Sequence, residues 1–362
     1  MSKASDILTP PSTDVMRFVF LYVGQGESTL IFIPDGGRHK TMLIDCNQGR
    51  RTGGIDLVKM LKDLLGDRDD DHLNYFVNTH PHLDHAGELD EISDAVVIDN
   101  IWHSGHKPGK DQDAAYQAVQ RLRDKVKEAG GEDVELLGTR ETASIGDAQY
   151  NVLSPAQHVV DEIADEDDDT RYRRIHEHCA VIRFKYGSPE SKNVMITGDS
   201  DKCAWSEHIT GYHGEGDENR LRSHVLSASH HGSRTFFKTD ENDKEPYRRH
   251  MELIEPEYLI ISSPSQADSP FGHPHDDALE LYKEFVAEDN ILHTGDDKKS
   301  FILDIFSNGE YQIRDDAGDL ADEYGFKPDD EDDKDDDGGD GGSSKGRGPF
   351  VITPKIDQRP MG

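Results

Sequence analysis

The stretch Thr79-His80-Pro81-His82-Leu83-Asp84-His85-Ala86-Gly87 constrains this chain more than any other. It places four side chains able to bind a metal, His80, His82, Asp84 and His85, within six residues. Leu73–Val77 just before it reads as a short apolar strand, and Gly87-Glu88-Leu89 opens a helix-like run. A strand, a ligand-dense turn and a helix aim several side chains at one point. His80 and His82 are two residues apart, so in an extended turn they point the same way. Asp84 and His85 follow the turn and reach a neighbouring second position. A solvated polar loop would account for one histidine, not for this set. Imidazole with carboxylate suits zinc first, and manganese or iron less well.

Further ligands must come from elsewhere in the chain, and the ends of strands are where to look. Val15–Val23 is a β-rich run, Gly24-Gln25-Gly26-Glu27 a tight turn, and Ser28–Ile33 the returning strand of a hairpin. Thr41–Asp45 is a third strand. Apolar residues across 55–65 and 113–129 recur at helical spacing. Extended runs are expected at 95–98 and 101–102, 149–153, 180–186, 193–197, 224–228, 257–261, 291–293, 300–306 and 311–313. Helices are expected at 201–209 and 276–287. The strand over 193–197 runs into Gly198-Asp199, and that over 224–228 into Ser229-His230-His231-Gly232-Ser233. His80, His82, Asp199 and His230 converge if these strands share a sheet edge. Alternating strands and helices with several hairpins imply two sheets covered by helices.

Composition bounds the remainder. The chain has 362 residues and a formal net charge of −34. Residues 315–340 hold fourteen Asp/Glu against two Lys, or −12, which leaves −22 for the rest. Such a surface repels nucleic-acid backbones and anionic membranes unless a local basic patch or a metal intervenes. Three cysteines, Cys46, Cys179 and Cys203, form neither a disulfide framework nor a CxxC zinc pattern, and a reducing cytoplasm is expected. Residues 1–14 read as a flexible lead, 15–314 as the folded domain, and 315–362 as an acidic, Gly-rich, disordered tail. No apolar run approaches a membrane span.

Thr79–Gly87, Thr197-Gly198-Asp199 and Ser229–Ser233 resemble the metal motifs of the metallo-β-lactamase fold. VGQGE at 23–27, Ile44-Asp45, THPHLDH, ITGD, SHHGS and FGHPH, in that order, resemble more closely the metallo-β-lactamase domain of the ComEC-type DNA-uptake competence family. The resemblance covers residues 15–314 and leaves out that channel's membrane segments. It implies an α/β fold, an αββα sandwich of two mixed β-sheets flanked by helices, with two metals. One metal would take His80, His82 and a third histidine, for which His178 is chosen over its rival His176. The other would take Asp84, His85 and His230, with Asp199 bridging. Cys179 reads as a small core residue rather than a ligand. Asp199 has a competing reading as the cap of a helix beginning at Ser200-Asp201. His231 is expected behind the ligands as a proton donor to a leaving group, with Asp84 orienting the nucleophilic water.

Two metals about 3.5–4 Å apart suit phosphodiester hydrolysis best, because the transition state is anionic and the leaving oxygen needs help. The expected activity is that of a dinuclear zinc (or manganese) phosphodiesterase or nuclease on a short nucleic acid or a nucleotide. Arg173, between Arg171 and Arg174, is a candidate phosphate contact, although the three arginines also neutralise the acidic run at 161–169. His273 and His275 are candidates to line the substrate side, or to cap the next helix at a Pro-fixed turn. Two other classes stay open. One is a carboxyl-ester, lactone or thioester hydrolase on the same metals. The other is a non-catalytic, metal-stabilised binding subunit that engages a protein partner through its acidic tail.

Overall fold

The computed structural model describes residues 3–327, apart from residues 48, 67–71, 108, 110–112, 189–191 and 216–217. The part of the expected tail from residue 328 onward lies outside the described residues. Among the described residues the strands form two mixed sheets. The first has eight strands in the order β15-β14-β1-β2-β3-β4-β5-β6. Its members are β1 (Val15–Phe20), β2 (Thr29–Asp35), β3 (Arg38–Ile44), β4 (Leu73–Asn78), β5 (Ile98–His103), β6 (Asp133–Glu135), β14 (Phe301–Phe306) and β15 (Tyr311–Asp315). The second has seven, in the order β13-β12-β11-β10-β9-β8-β7. These are β7 (Ala143–Ile145), β8 (Ala148–Ser154), β9 (Val181–Lys185), β10 (Asn193–Ile196), β11 (Val225–Ser227), β12 (Tyr258–Ile261) and β13 (Ile291–His293).

Helices cover both outer faces. Three apolar layers follow from this and explain why strands such as β1 are buried along their whole length. Between the sheets, Phe18, Ile31, Met42 and Val77 meet Ile182, Phe184, Val194 and Ile260. Outside the first sheet, Leu30, Leu43 and Phe76 pack with α1 (Lys3–Leu8), α2 (Leu57–Leu65), α4 (Leu89–Ala95) and α5 (Asp113–Ala129). Outside the second, Met195, Leu226 and Leu259 pack against α8 (Arg249–Ile254), α9 (Asp276–Lys283) and the π-helical segment Ala204–Gly214. The protein is thus an αββα sandwich.

In each sheet the parallel strands sit on one side and the antiparallel strands on the other. β3, β4, β5 and β6 run parallel, as do β10, β11, β12 and β13. The carboxyl ends of parallel strands are where open α/β sheets place their ligands. Here those ends deliver Asp45, Thr79-His80, Asp199 and Ser229–His231.

Several expected boundaries move. The lead is not loose: α1 buries Ala4, Ile7 and Leu8. Residues 315–327 belong to the packed body. Asp316 accepts backbone hydrogen bonds from Ser300, Gly318 and Leu320. The following α10 (Asp319–Tyr324) buries Leu320 and Tyr324. Ala95 ends α4, so the two extended runs expected around it reduce to β5 alone. The helix expected at 201–209 is the π-helical segment, displaced a few residues toward the carboxyl end. The acidic run at 161–169 falls on α6 (Gln157–Ala164) and α7 (Asp168–Arg173). No helix among the described residues is long and apolar enough to cross a membrane.

Candidate metal centre

Strand β4 ends at Asn78, and the chain turns through His80-Pro81-His82 into the short helix α3 (Leu83–Ala86). This turn is anchored from below by Asp45, fully buried at the end of β3. Its Oδ1 accepts from Thr79 N at 2.8 Å, and its Oδ2 from Thr79 Oγ1 at 2.6 Å. Oδ2 also lies 2.7 Å from His85 Nδ1, which fixes the His85 ring with Nε2 turned outward. Asp45 adopts a left-handed backbone, φ 55°, which Asp tolerates better than most residues.

Two groups of donors result, and Asp199 stands between them. Its Oδ2 lies 3.6 Å from His80 Nε2 and 3.8 Å from His176 Nε2. His82 Nδ1 completes that group, 3.0 Å from His80 Nε2 and 3.3 Å from His176 Nε2. The other oxygen, Oδ1, lies 3.0 Å from His85 Nε2 and 3.6 Å from His231 Nε2. Asp84 Oδ2 closes this second group, 3.3 Å from His231 Nε2. His80, His82, His176 and Asp199 thus form one set, and Asp84, His85, His231 and Asp199 the other. Both carboxylate oxygens of Asp199 are buried and have no hydrogen-bond donor. A buried carboxylate left this way is costly unless a cation satisfies it, and a donor set of imidazoles and carboxylates matches divalent transition metals.

The electrostatics agree. Burial alone would raise the pKa of Asp199, but His230, His85 and His231 hold it well below the carboxylate range. Burial would lower His85, yet Asp199 and Asp45 pull it well above the ordinary histidine value, and Asp199 and Asp84 raise His231. His82, by contrast, is pushed down to about 3 by burial and by His176. A cation entering the second set would compete with protons for His85 and His231.

Residues 21–181 match the family model of the metallo-beta-lactamase superfamily. Over that segment the chain is similar to the metallo-β-lactamase superfamily. Among solved structures it is similar to the CmlA beta-hydroxylase at 13% identity and TM-score 0.38, over 76% of this chain and 52% of that one. It thus spans about half of the hydroxylase's length. It is also similar to a diphosphatase from the PhnP family at 11% identity and TM-score 0.36, over 83% of this chain and 98% of that one. A third is a protein of Thermotoga maritima described as a Zn-dependent hydrolase of the metallo-β-lactamase superfamily, at 10% identity and TM-score 0.31, over 76% and 98%. No curated protein matches the chain.

Around this centre, two expected ligand positions change. His178 does not face the centre. Its Nδ1 meets His106 Nδ1 at 2.7 Å in a buried pair, and His176 takes the place expected for it. Residues 174–179 form a turn, with His178 N bonded to Arg174 O and Cys179 N to His176 O, so residues two apart diverge. His231 stands in the second set, where His230 was expected. His231 donates Nδ1–H to Ser262 O at 2.9 Å and turns Nε2 to Asp84 and His85, so it lies among the donors and not behind them. His230 flanks His176, with ring centroids 4.4 Å apart, and its Nε2 lies 3.5 Å from Asp199 Oδ2, on the side of the first set. Both residues are left-handed, φ 51° and 57°, which sends consecutive rings to different sides.

The remaining expected residues separate. His273 is buried with its ring 5.4 Å from His230 and 6.0 Å from His231. His275 stands at the N-cap position of α9 without a side-chain cap hydrogen bond, its Nδ1 accepting instead from Arg234 N at 3.1 Å. Arg171 pairs with Asp168. Arg174 pairs with Glu177, Glu166 and Glu162, so these two neutralise the acidic run. Arg173 is exposed and donates to Thr170 Oγ1 at 2.9 Å. Cys179 is a core residue whose Sγ accepts from Asp199 N at 3.3 Å. His103 is buried and held by Asp133 at 2.9 Å. Sequence reading missed the supporting layer. Beyond Asp45 it includes Glu27, which burial and Asp45 push up to about 7.

Proposed function

We propose that the protein is a divalent-metal-dependent phosphodiesterase acting on a short nucleic acid or a nucleotide. The observation that carries this reading is Asp199, each of whose oxygens faces a separate set of donors. His80, His82 and His176 would hold one cation, and Asp84, His85 and His231 the other, with Asp199 shared. When bound, such cations lower the pKa of a water and neutralise charge on the transferred group, the help a phosphodiester needs most. Zinc fits the donors first and manganese second.

The chain's own residues supply orientation. Asp84, partly exposed, positions the attacking water with its carboxylate. His230 donates Nδ1–H to Thr235 Oγ1, 3.0 Å away, whose own proton goes to Ser233 Oγ, and turns its Nε2 toward Asp199 Oδ2 at 3.5 Å. The Nε2 lone pair would add His230 to the donors around Asp199, and His273 stands beside it on the substrate side. Arg173 remains a candidate for a more distant phosphate. The ordered motifs that resemble the competence family support the nuclease form of this reading, and the free cysteines suit a reducing cytoplasm.

The experiment is a panel of bis-p-nitrophenyl phosphate, p-nitrophenyl acetate and a lactone, assayed with zinc and with manganese. Metal-dependent turnover of the phosphodiester, lost on chelation, is expected. Turnover confined to the acetate or the lactone would overturn the proposal.

A further inference from the structure

Among the described residues five large hydrophobic side chains are exposed: Leu83, Val97, Tyr172, Tyr212 and Phe271. Phe271 is the most exposed, at 61%, and it neighbours a histidine beside the metal centre. Its ring lies 5.8 Å from that of His273 at an interplanar angle of 32°. His273 in turn contacts His230 and His231. A continuous series of rings therefore leads from the donor set to an open aromatic face.

The segment that presents Phe271 is fastened down. Ser269 Oγ accepts from the backbone N of Phe271 and of His273, and donates to Gln25 Oε1 at 3.0 Å. Gln25 belongs to the Gly24-Gln25-Gly26 turn, whose Gly26 sits so close to Asp84 O that a Cβ there would lie 2.5 Å from it. On the far side of Phe271, His275 N bonds Gly232 O at 3.1 Å, next to His231. The ring is held at a set place relative to Asp84 and His231. Holding a large apolar side chain out in water has no packing benefit. An acyl group would need an enclosing channel, whereas Gly272, the next residue, has no atom within 4 Å of where a Cβ would stand. One open aromatic face suits a flat ring that stacks.

We propose that Phe271 is a stacking platform for a nucleobase attached to the scissile phosphodiester. This rests on the phosphodiesterase reading and deepens it. A base can stack on Phe271 only when it is unpaired, so the protein selects single strands, strand ends or dinucleotides over duplex. The net charge of −34 acts in the same direction, since it disfavours a long duplex footprint.

The test compares two esters with the same leaving group, thymidine 5′-(p-nitrophenyl phosphate) and methyl p-nitrophenyl phosphate, on the metal-loaded full chain. The wild type is expected to prefer the thymidine ester. Phe271→Ala should lower kcat/KM for that ester on the order of tenfold and leave the methyl ester unchanged, and Phe271→Trp should retain the preference. An equal effect on both esters, or no preference in the wild type, would overturn the proposal. Binding of a dinucleotide containing 2-aminopurine supplies a readout free of turnover. Quenching by the wild type and not by Phe271→Ala supports the platform even if neither ester is cleaved, in which case the hydrolytic reading alone fails. Quenching that survives Phe271→Ala, or a complete lack of quenching, refutes the platform.

Discussion

Replacing Asp45 by asparagine tests whether the buried layer under the centre controls metal affinity. Asn tolerates the left-handed backbone at this position, so the fold is not the variable. Asp45 Oδ1 accepts two N–H donors, from Thr79 N at 2.8 Å and Asn78 Nδ2 at 3.4 Å. In the variant the amide oxygen must stay at that position, and the NH2 group then occupies the place of Oδ2. There it faces His85 Nδ1, 2.7 Å away in the native protein. Thr79 Oγ1, a hydroxyl oxygen, can accept from the new amide, but His85 has no such escape. To accept from the amide it must move its proton to Nε2, the nitrogen that faces Asp199 at 3.0 Å. A protonated Nε2 has no lone pair for a metal. Disturbing a partner that orients a ligand costs about 10–100-fold in metal affinity, or about 1.4–2.7 kcal/mol. Chelator competition with zinc should show the weaker of two sites loosened by that factor and the other nearly unchanged. Two dissociation constants within twofold of wild type would refute the reasoning.

Other outcomes follow from the same geometry. His176→Ala should remove a metal equivalent, measured by elemental analysis after dialysis, whereas His178→Ala should keep both; the reverse would restore the assignment made from sequence. Truncation after Arg314 removes the buried Leu320 and Tyr324 and should lower Tm by about 5–10 °C, given about 1.5–3 kcal/mol for each buried side chain; an unchanged Tm would show that α10 contributes nothing. His250 is fully buried against Trp205, Phe236, Phe237 and Tyr247, and burial pushes its pKa down to about 3. The folded chain therefore binds this proton less readily than the unfolded one, so the contribution to stability is full above pH ~6.5. It falls by about 1.4 kcal/mol per unit toward pH 3. His250→Leu should flatten Tm against pH between 6.5 and 5, and parallel curves for the two proteins would sink this account.

Local chemistry explains what the sequence could disclose. The turn around His80, His82, Asp84 and His85 is legible because its donors are adjacent in the chain and flanked by a strand and a helix. Asp199 is legible because it directly follows a strand. Strand logic fails where the backbone leaves the strand. His176 and His178 stand before β9, and alternation would send them the same way, but a turn joins them and only His176 reaches His82. His230 and His231 stand after β11, where two left-handed residues in succession send His231 to Asp84 and one oxygen of Asp199, and His230 to the other oxygen. The tail boundary was hidden for a different reason. Leu320 and Tyr324 are spaced i, i+4 and mark a packed helical face, but acidic neighbours conceal them in any compositional reading. Asp45 was visible as a strand end, yet its task depends on a partner forty residues away, His85, and no spacing rule connects them. The residues that bind are thus easier to find than those that aim them, because aiming is done by contacts that exist only once β3 and β4 lie side by side.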